Sequence, residues 1–104
     1  MRDPGFERWL RGQRKKIDRE NVTLLRSLRR RLKMSEEVGV RKFRAGVPIV
    51  DRAREAEVFR KTRGNARRIG LDPRIATDFM WFLLRSSREV QRRRLSRLRA
   101  RKWF

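Results

Sequence analysis

The chain has 104 residues, enough for one small domain and too few for two ordinary ones. Lys and Arg number 32 against 12 Asp and Glu, a formal net charge of +20 at pH 7, which suits an anionic partner. Cys, His and Tyr are absent, which excludes disulfides, thiolate sites, histidine acid–base chemistry and the usual zinc constellations.

Pro and Gly punctuate three places: Pro4-Gly5, Gly46-Val47-Pro48, and Gly64 through Gly70 to Pro73. No segment alternates with period two for long enough to suggest a strand. The expectation is an all-α chain of three helices, one domain over residues 1–104 with a basic C-terminal tail from about residue 92. No apolar run approaches the roughly 20 residues that span a bilayer, and the N-terminus lacks the apolar core of a signal peptide. A soluble, cytoplasmic protein without membrane contact is expected.

Helix 1 is expected from about Phe6 to about Phe43. Its inward stripe reads Leu10, Arg14, Ile17, Asn21, Leu24, Leu28, Arg31, Ser35, Val38, Lys42, with steps mainly of three and four, which is heptad spacing. Such a helix would be about 55 Å long, longer than a compact domain of this size is wide. It is therefore expected to pair with a second subunit.

Helix 2 is expected to begin at Asp51, an N-cap residue after Pro48-Ile49-Val50, with Glu55 in the first turn. Ala53, Ala56, Val58 and Phe59 supply a modest apolar face. The pattern weakens toward Gly64, and Gly70 is the expected stop. Helix 3 opens at Leu71-Asp72-Pro73, with Asp at the N-cap and Pro at N1. Its apolar positions are Ile75, Phe79, Met80, Phe82, Leu83, Leu84, Val90, Leu95 and Leu98. It is expected to extend toward Arg101, its basic end from Arg92 to Arg99 prone to fray.

A few polar residues stand where apolar ones belong. Arg14, Arg31 and Lys42 lie on the inward stripe of helix 1, and Ser87 and Gln91 lie on one face of helix 3, four residues apart. Buried charge without a partner costs several kcal/mol even after relaxation, roughly, so the set points to an anion. The plain alternative is that the long cations snorkel to the edge of the interface. Arg31 and Lys42 are separated by three turns, about 16 Å, and long side chains could converge between them. Arg14 is about 25 Å from Arg31 along the rod, so it could reach such a ligand only from an antiparallel partner helix. That arrangement makes a dimer with two equivalent sites.

These residues carry a family resemblance. The segments are Leu10-Arg-Gly-Gln-Arg14-Lys-Lys-Ile17-Asp18, Leu24-Leu25 through Arg29-Arg30-Arg31, and Val38-Gly39-Val-Arg-Lys42. They continue with Gly46-Val-Pro48-Ile-Val-Asp51-Arg-Ala-Arg54-Glu55, Gly70-Leu-Asp-Pro73, and Ser86-Ser87-Arg-Glu-Val-Gln91. In this order they resemble the all-helical AroQ class of chorismate mutase over roughly residues 9–95. The most specific part is Gly-Val-Pro followed by Asp-x-x-Arg-Glu.

The resemblance implies an intertwined homodimer and the Claisen rearrangement of chorismate to prephenate, in biosynthesis of Phe and Tyr. This is an isomerase reaction without cofactor, metal or covalent intermediate. It further implies that Arg14, supplied in trans by the partner subunit, and Arg31 hold the substrate carboxylates, for which guanidinium forks are suited. Lys42 and Gln91 would donate to the ether oxygen, Asp51 and Glu55 would orient the ring hydroxyl, Ser87 would assist at a carboxylate, and Arg54 would support the site. On local grounds Asp51 and Glu55 could equally be only an acidic helix start. Spacing to Lys42 selects Arg31 from its run, and spacing to Gln91 selects Ser87 over Ser86.

Rival readings stay open. Relatives act on 4-amino-4-deoxychorismate, differing where Asp51 and Glu55 would sit, or eliminate pyruvate from isochorismate, which the intact Asp51-x-x-Arg54-Glu55 disfavours. A nucleic-acid-binding helical protein would explain the charge and Arg92-Arg93-Arg94, but no nucleic-acid module is present and inward Arg31, Lys42 and Gln91 would go unexplained. A noncatalytic helical scaffold is a further alternative. The tail beyond Arg92 is either a solvated helix end or a docking segment for a partner protein.

Overall fold

Asp3 sets the first boundary. Its carboxylate accepts from the amides of Gly5 (3.2 Å) and Phe6 (3.3 Å), and Pro4 occupies the first helical position, where its missing N–H costs nothing. The computed structural model describes residues 3–102, and α1 runs over Pro4–Ala45. The Pro4-Gly5 pair is therefore inside the helix and not a break before it, because capping by Asp3 outweighs the punctuation.

The end of α1 is a left-handed glycine cap. Gly46 has φ 69, Val47 N–H donates to the Lys42 carbonyl (2.9 Å) and Gly46 N–H to that of Phe43 (3.2 Å), which together satisfy the terminal carbonyls. α2 follows over Arg52–Ile69, with Asp51 in extended geometry accepting the Arg54 amide at 3.0 Å. The helix passes through Gly64 without a break and ends at the expected stop, a second glycine cap where Gly70 has φ 76 and Leu71 N–H reaches the Ala66 carbonyl (2.8 Å). α3 spans Pro73–Lys102, started by Asp72, whose carboxylate accepts the Arg74 amide at 2.9 Å. The basic run after Arg92 is helical within these bounds.

No helix among the described residues is long and apolar enough to cross a membrane, and no strand is present among them. The chain divides into two units, residues up to Arg31 and residues from Leu32 onward. The first holds α1 only as far as Arg31, where Ile17, Leu24 and Leu25 are more than half exposed.

In the second unit, α2 packs antiparallel on α3. Phe59 meets Trp81 at 4.6 Å between ring centroids, and Glu55 pairs with Arg88. The last turns of α1 run alongside α3, where Ser35 faces Ser87 and Gly39 faces Gln91. The buried positions of α3 are Ala76, Leu83, Ser87, Gln91 and Leu95, one helical stripe with two polar residues at its middle. Ile75, Phe79 and Phe82, expected as part of the apolar face, are about half exposed.

The heptad reading of helix 1 needs one correction. Val38 is 47% exposed, whereas its neighbour Gly39 is buried. From Leu32 onward α1 meets α3 through Ser35 and Gly39, one turn apart, so at this level Gly39 and not Val38 faces α3.

Candidate active site

Two polar side chains interrupt the buried stripe of α3. Ser87 and Gln91 are each 8% exposed, between Leu83 and Leu95, where packing alone would favour aliphatic residues. Both are satisfied by α1. The Gln91 carboxamide Nε2 donates to the Ser35 carbonyl at 2.9 Å, and the Ser35 hydroxyl donates to Ser87 Oγ at 3.0 Å. A carbonyl can only accept, so the bond to Ser35 fixes which end of the Gln91 amide is nitrogen. The amide has two N–H groups, and one is committed to Ser35.

Lys42 lies one turn after Val38 on α1 and is half-buried. Its ammonium donates to the Ile49 carbonyl at 3.1 Å, in the loop after the Gly46 cap. That bond uses one of three ammonium donors.

The acidic residues come from the start of α2. Asp51 is exposed and serves as the N-cap. Glu55, one turn on, has both carboxylate oxygens on the Arg88 guanidinium, Oε2 at 2.6 Å. The side chains are 19% and 33% exposed, so this ion pair is partly shielded from water, and removing one partner would leave the other charge poorly compensated. Arg54 is exposed and pairs with Glu57 at 2.8 Å. Lys61, and after it Arg54, holds the Glu57 carboxyl below its usual range.

Arg14 and Arg31 belong to the first unit. Arg14 is exposed and Arg31 half-buried. Burial pushes the Arg31 guanidinium below its ordinary value, since desolvation disfavours the charged form; it remains a cation at neutral pH.

The structure thus brings Ser87 and Gln91 together on α1 through Ser35, and sets Lys42 on the Ile49 loop. It gives Glu55 a partner, Arg88, that sequence reasoning did not name. That reasoning quoted Gly39 only within a motif and gave neither it nor the Ser35 carbonyl a role beside Gln91. An isolated glycine inside a helical pattern is a usable signal for close packing; Arg88 had none, being one of many arginines.

A family model for chorismate mutase type II matches residues 13–92. The chain belongs to the chorismate mutase type II family. The matched span contains all eight residues singled out above, from Arg14 to Gln91. Residues from Arg93 onward lie outside it, so the basic end of α3 is additional to the part that family membership accounts for. No solved structure matches the chain.

Proposed function

We propose that this family member is a chorismate mutase that converts chorismate to prephenate. The carrying observation is the pair Ser87 and Gln91, buried in the stripe of α3 with their polar atoms held by α1. Side chains placed so give up packing for fixed hydrogen-bond geometry, which serves a reaction needing oriented donors.

The rearrangement fits such a site. One C–O bond breaks and one C–C bond forms within a single molecule, with no proton lost or gained. The enol-ether oxygen gains negative charge as the C–O bond lengthens. Gln91, through its second N–H, and Lys42, through an ammonium donor released from or shared with Ile49, donate to that oxygen. Donors already aimed at developing charge cost no reorganisation during the step. Ser87 assists at a carboxylate. Asp51 and Glu55 orient the ring hydroxyl, with Arg88 holding the Glu55 carboxylate in place and Arg54 supporting the helix start.

The roles of Arg31, and of Arg14 from a partner subunit, in holding the two carboxylates rest on the family resemblance and on guanidinium–carboxylate complementarity. A homodimer is supported by the exposed Ile17, Leu24 and Leu25 of α1 and the exposed Ile75, Phe79 and Phe82 of α3, which exceed the scattered exposure normal for a monomer. A cytoplasmic place in synthesis of Phe and Tyr follows from the same reading.

The test is the ultraviolet absorbance of chorismate with purified protein, beside Lys42→Ala prepared identically. The proposal expects rapid decay to prephenate in the wild type and a fall of about 100-fold or more in the variant. A folded wild-type protein that leaves chorismate intact would remove it and turn attention to the 4-amino analogue and isochorismate.

A further inference from the structure

Gly39 is the buried residue of α1. Its backbone is ordinary helix, since the positive-φ glycines are Gly46 and Gly70. It is therefore not there for conformational freedom, and mid-helix glycine is a cost to helix stability. The space around it explains its presence. A Cβ built on Gly39 would lie 2.8 Å from Gln91 Cγ, 3.2 Å from its Cβ and 3.5 Å from its Cδ. The clash involves the stem of the Gln91 side chain on a packed helix, so relief requires either a new rotamer or separation of α1 from α3.

The missing methyl has a second effect. In an α-helix the Ser35 carbonyl accepts the Gly39 amide four residues on, and the side chain at that later position leans back over the same turn. A side chain at residue 39 would crowd the flank of the Ser35 carbonyl that accepts Gln91 Nε2 at 2.9 Å. With glycine there, that flank of the carbonyl is open to Gln91 Nε2.

We infer that Gly39 is a positioning residue for the reaction: it makes the cradle that fixes the Gln91 carboxamide, and through it the N–H aimed at the substrate. This deepens the proposed mutase reading and rests on it. Gly39 itself touches no substrate. Its effect belongs to the chemical step, because a donor displaced by a fraction of an ångström to 1 Å still permits binding but no longer meets the developing charge.

The experiment compares the full chain with Gly39→Ala, Gln91→Ala, the double variant, and Gly64→Ala. The last is a control, a helical glycine whose added Cβ would meet nothing within 4 Å. Two readouts are taken: steady-state kinetics on chorismate, and the side-chain carboxamide signal of Gln91 in a nitrogen-15 NMR spectrum, assigned by its loss in Gln91→Ala.

The expected result is a fall in kcat of about tenfold or more in Gly39→Ala with KM little changed, no added fall when Gly39→Ala is placed on Gln91→Ala, and a moved Gln91 carboxamide signal in Gly39→Ala but not in Gly64→Ala. Unchanged kcat, an equal fold loss in both backgrounds, or an unmoved carboxamide signal would overturn the inference. Should the wild type fail to turn over chorismate, the functional reading falls, and the carboxamide signal alone decides for or against the cradle. Should Gly39→Ala lose its helical circular dichroism, recovery in the double variant, where the colliding Cγ and Cδ are gone, supports the contact, and no recovery refutes it.

Discussion

At the scale of the residue, Gln91 is in tension between stability and function. It occupies a core position between Leu83 and Leu95, and its hydrogen bond to a helix carbonyl offsets desolvation with little surplus. Methionine has nearly the same length and flexibility and carries no polar group to satisfy. Losing Gln91 strands no acceptor, because the Ser35 carbonyl keeps its helical partner. Gln91→Met is therefore expected to leave the thermal midpoint unchanged or raised, within about 1 kcal/mol, while chorismate turnover falls by about 100-fold or more. Parallel melting curves and kinetics check both halves; a midpoint lowered by several degrees would show that the polar contact, not packing, holds α1 on α3. The four-residue spacing of Ser87 and Gln91 made this face legible from the sequence. Gly39 was not legible by the same route, because counting apolar side chains along a stripe is blind to a residue whose contribution is having none. Arg88 required the α2–α3 register, which pairs it with Glu55 and which no local pattern encodes.

At the scale of the element, capping chemistry decides where the helices stop and start. Asp51, Gly70 and Asp72-Pro73 were readable because each boundary uses a local hydrogen bond or a fixed dihedral. Pro4 was misjudged for want of weight on Asp3. The pattern of α2 weakens toward Gly64, where tertiary packing of Ala66 and Phe59 on α3 carries the helix past a weak residue. Two glycines should therefore respond oppositely to alanine. Gly46→Ala meets no neighbour within 4 Å but must hold φ near 69, so backbone strain alone is expected to cost about 1–2 kcal/mol. Gly64→Ala, in regular helix with open space around it, is expected to gain about 0.5–1 kcal/mol. Denaturant midpoints with unchanged m-values measure each. Equal shifts for the two would mean that the Gly46 cap does not set the end of α1. The loop that Gly46 opens also carries the Ile49 carbonyl held by Lys42, so its geometry reaches one proposed donor.

At the scale of the whole molecule, the described residues bury few large side chains. Leu83 and Leu95 are the large aliphatics among the buried core residues, the others being alanines. Trp9, Ile17, Leu24 and Leu25 of α1 remain about half exposed or more. A second copy of the chain would cover such surface at no cost in new sequence, and a two-fold axis would repeat each contact. If Arg14 crosses to the partner while Gln91 serves its own chain, every site takes one residue from each subunit. Arg14→Ala and Gln91→Ala homodimers are then both impaired, for each of their sites carries one defect. Mixing equal amounts under conditions that exchange subunits gives about half heterodimers by random pairing. In each heterodimer one site collects both defects and the other collects neither. The mixture should therefore recover about one quarter of wild-type turnover, by the symmetry of the pairing. Recovery near that fraction, read by chorismate absorbance after exchange and absent before it, supports a site completed in trans. A mixture no more active than the mean of its parents places Arg14 and Gln91 in the same subunit's site, or removes Arg14 from the site.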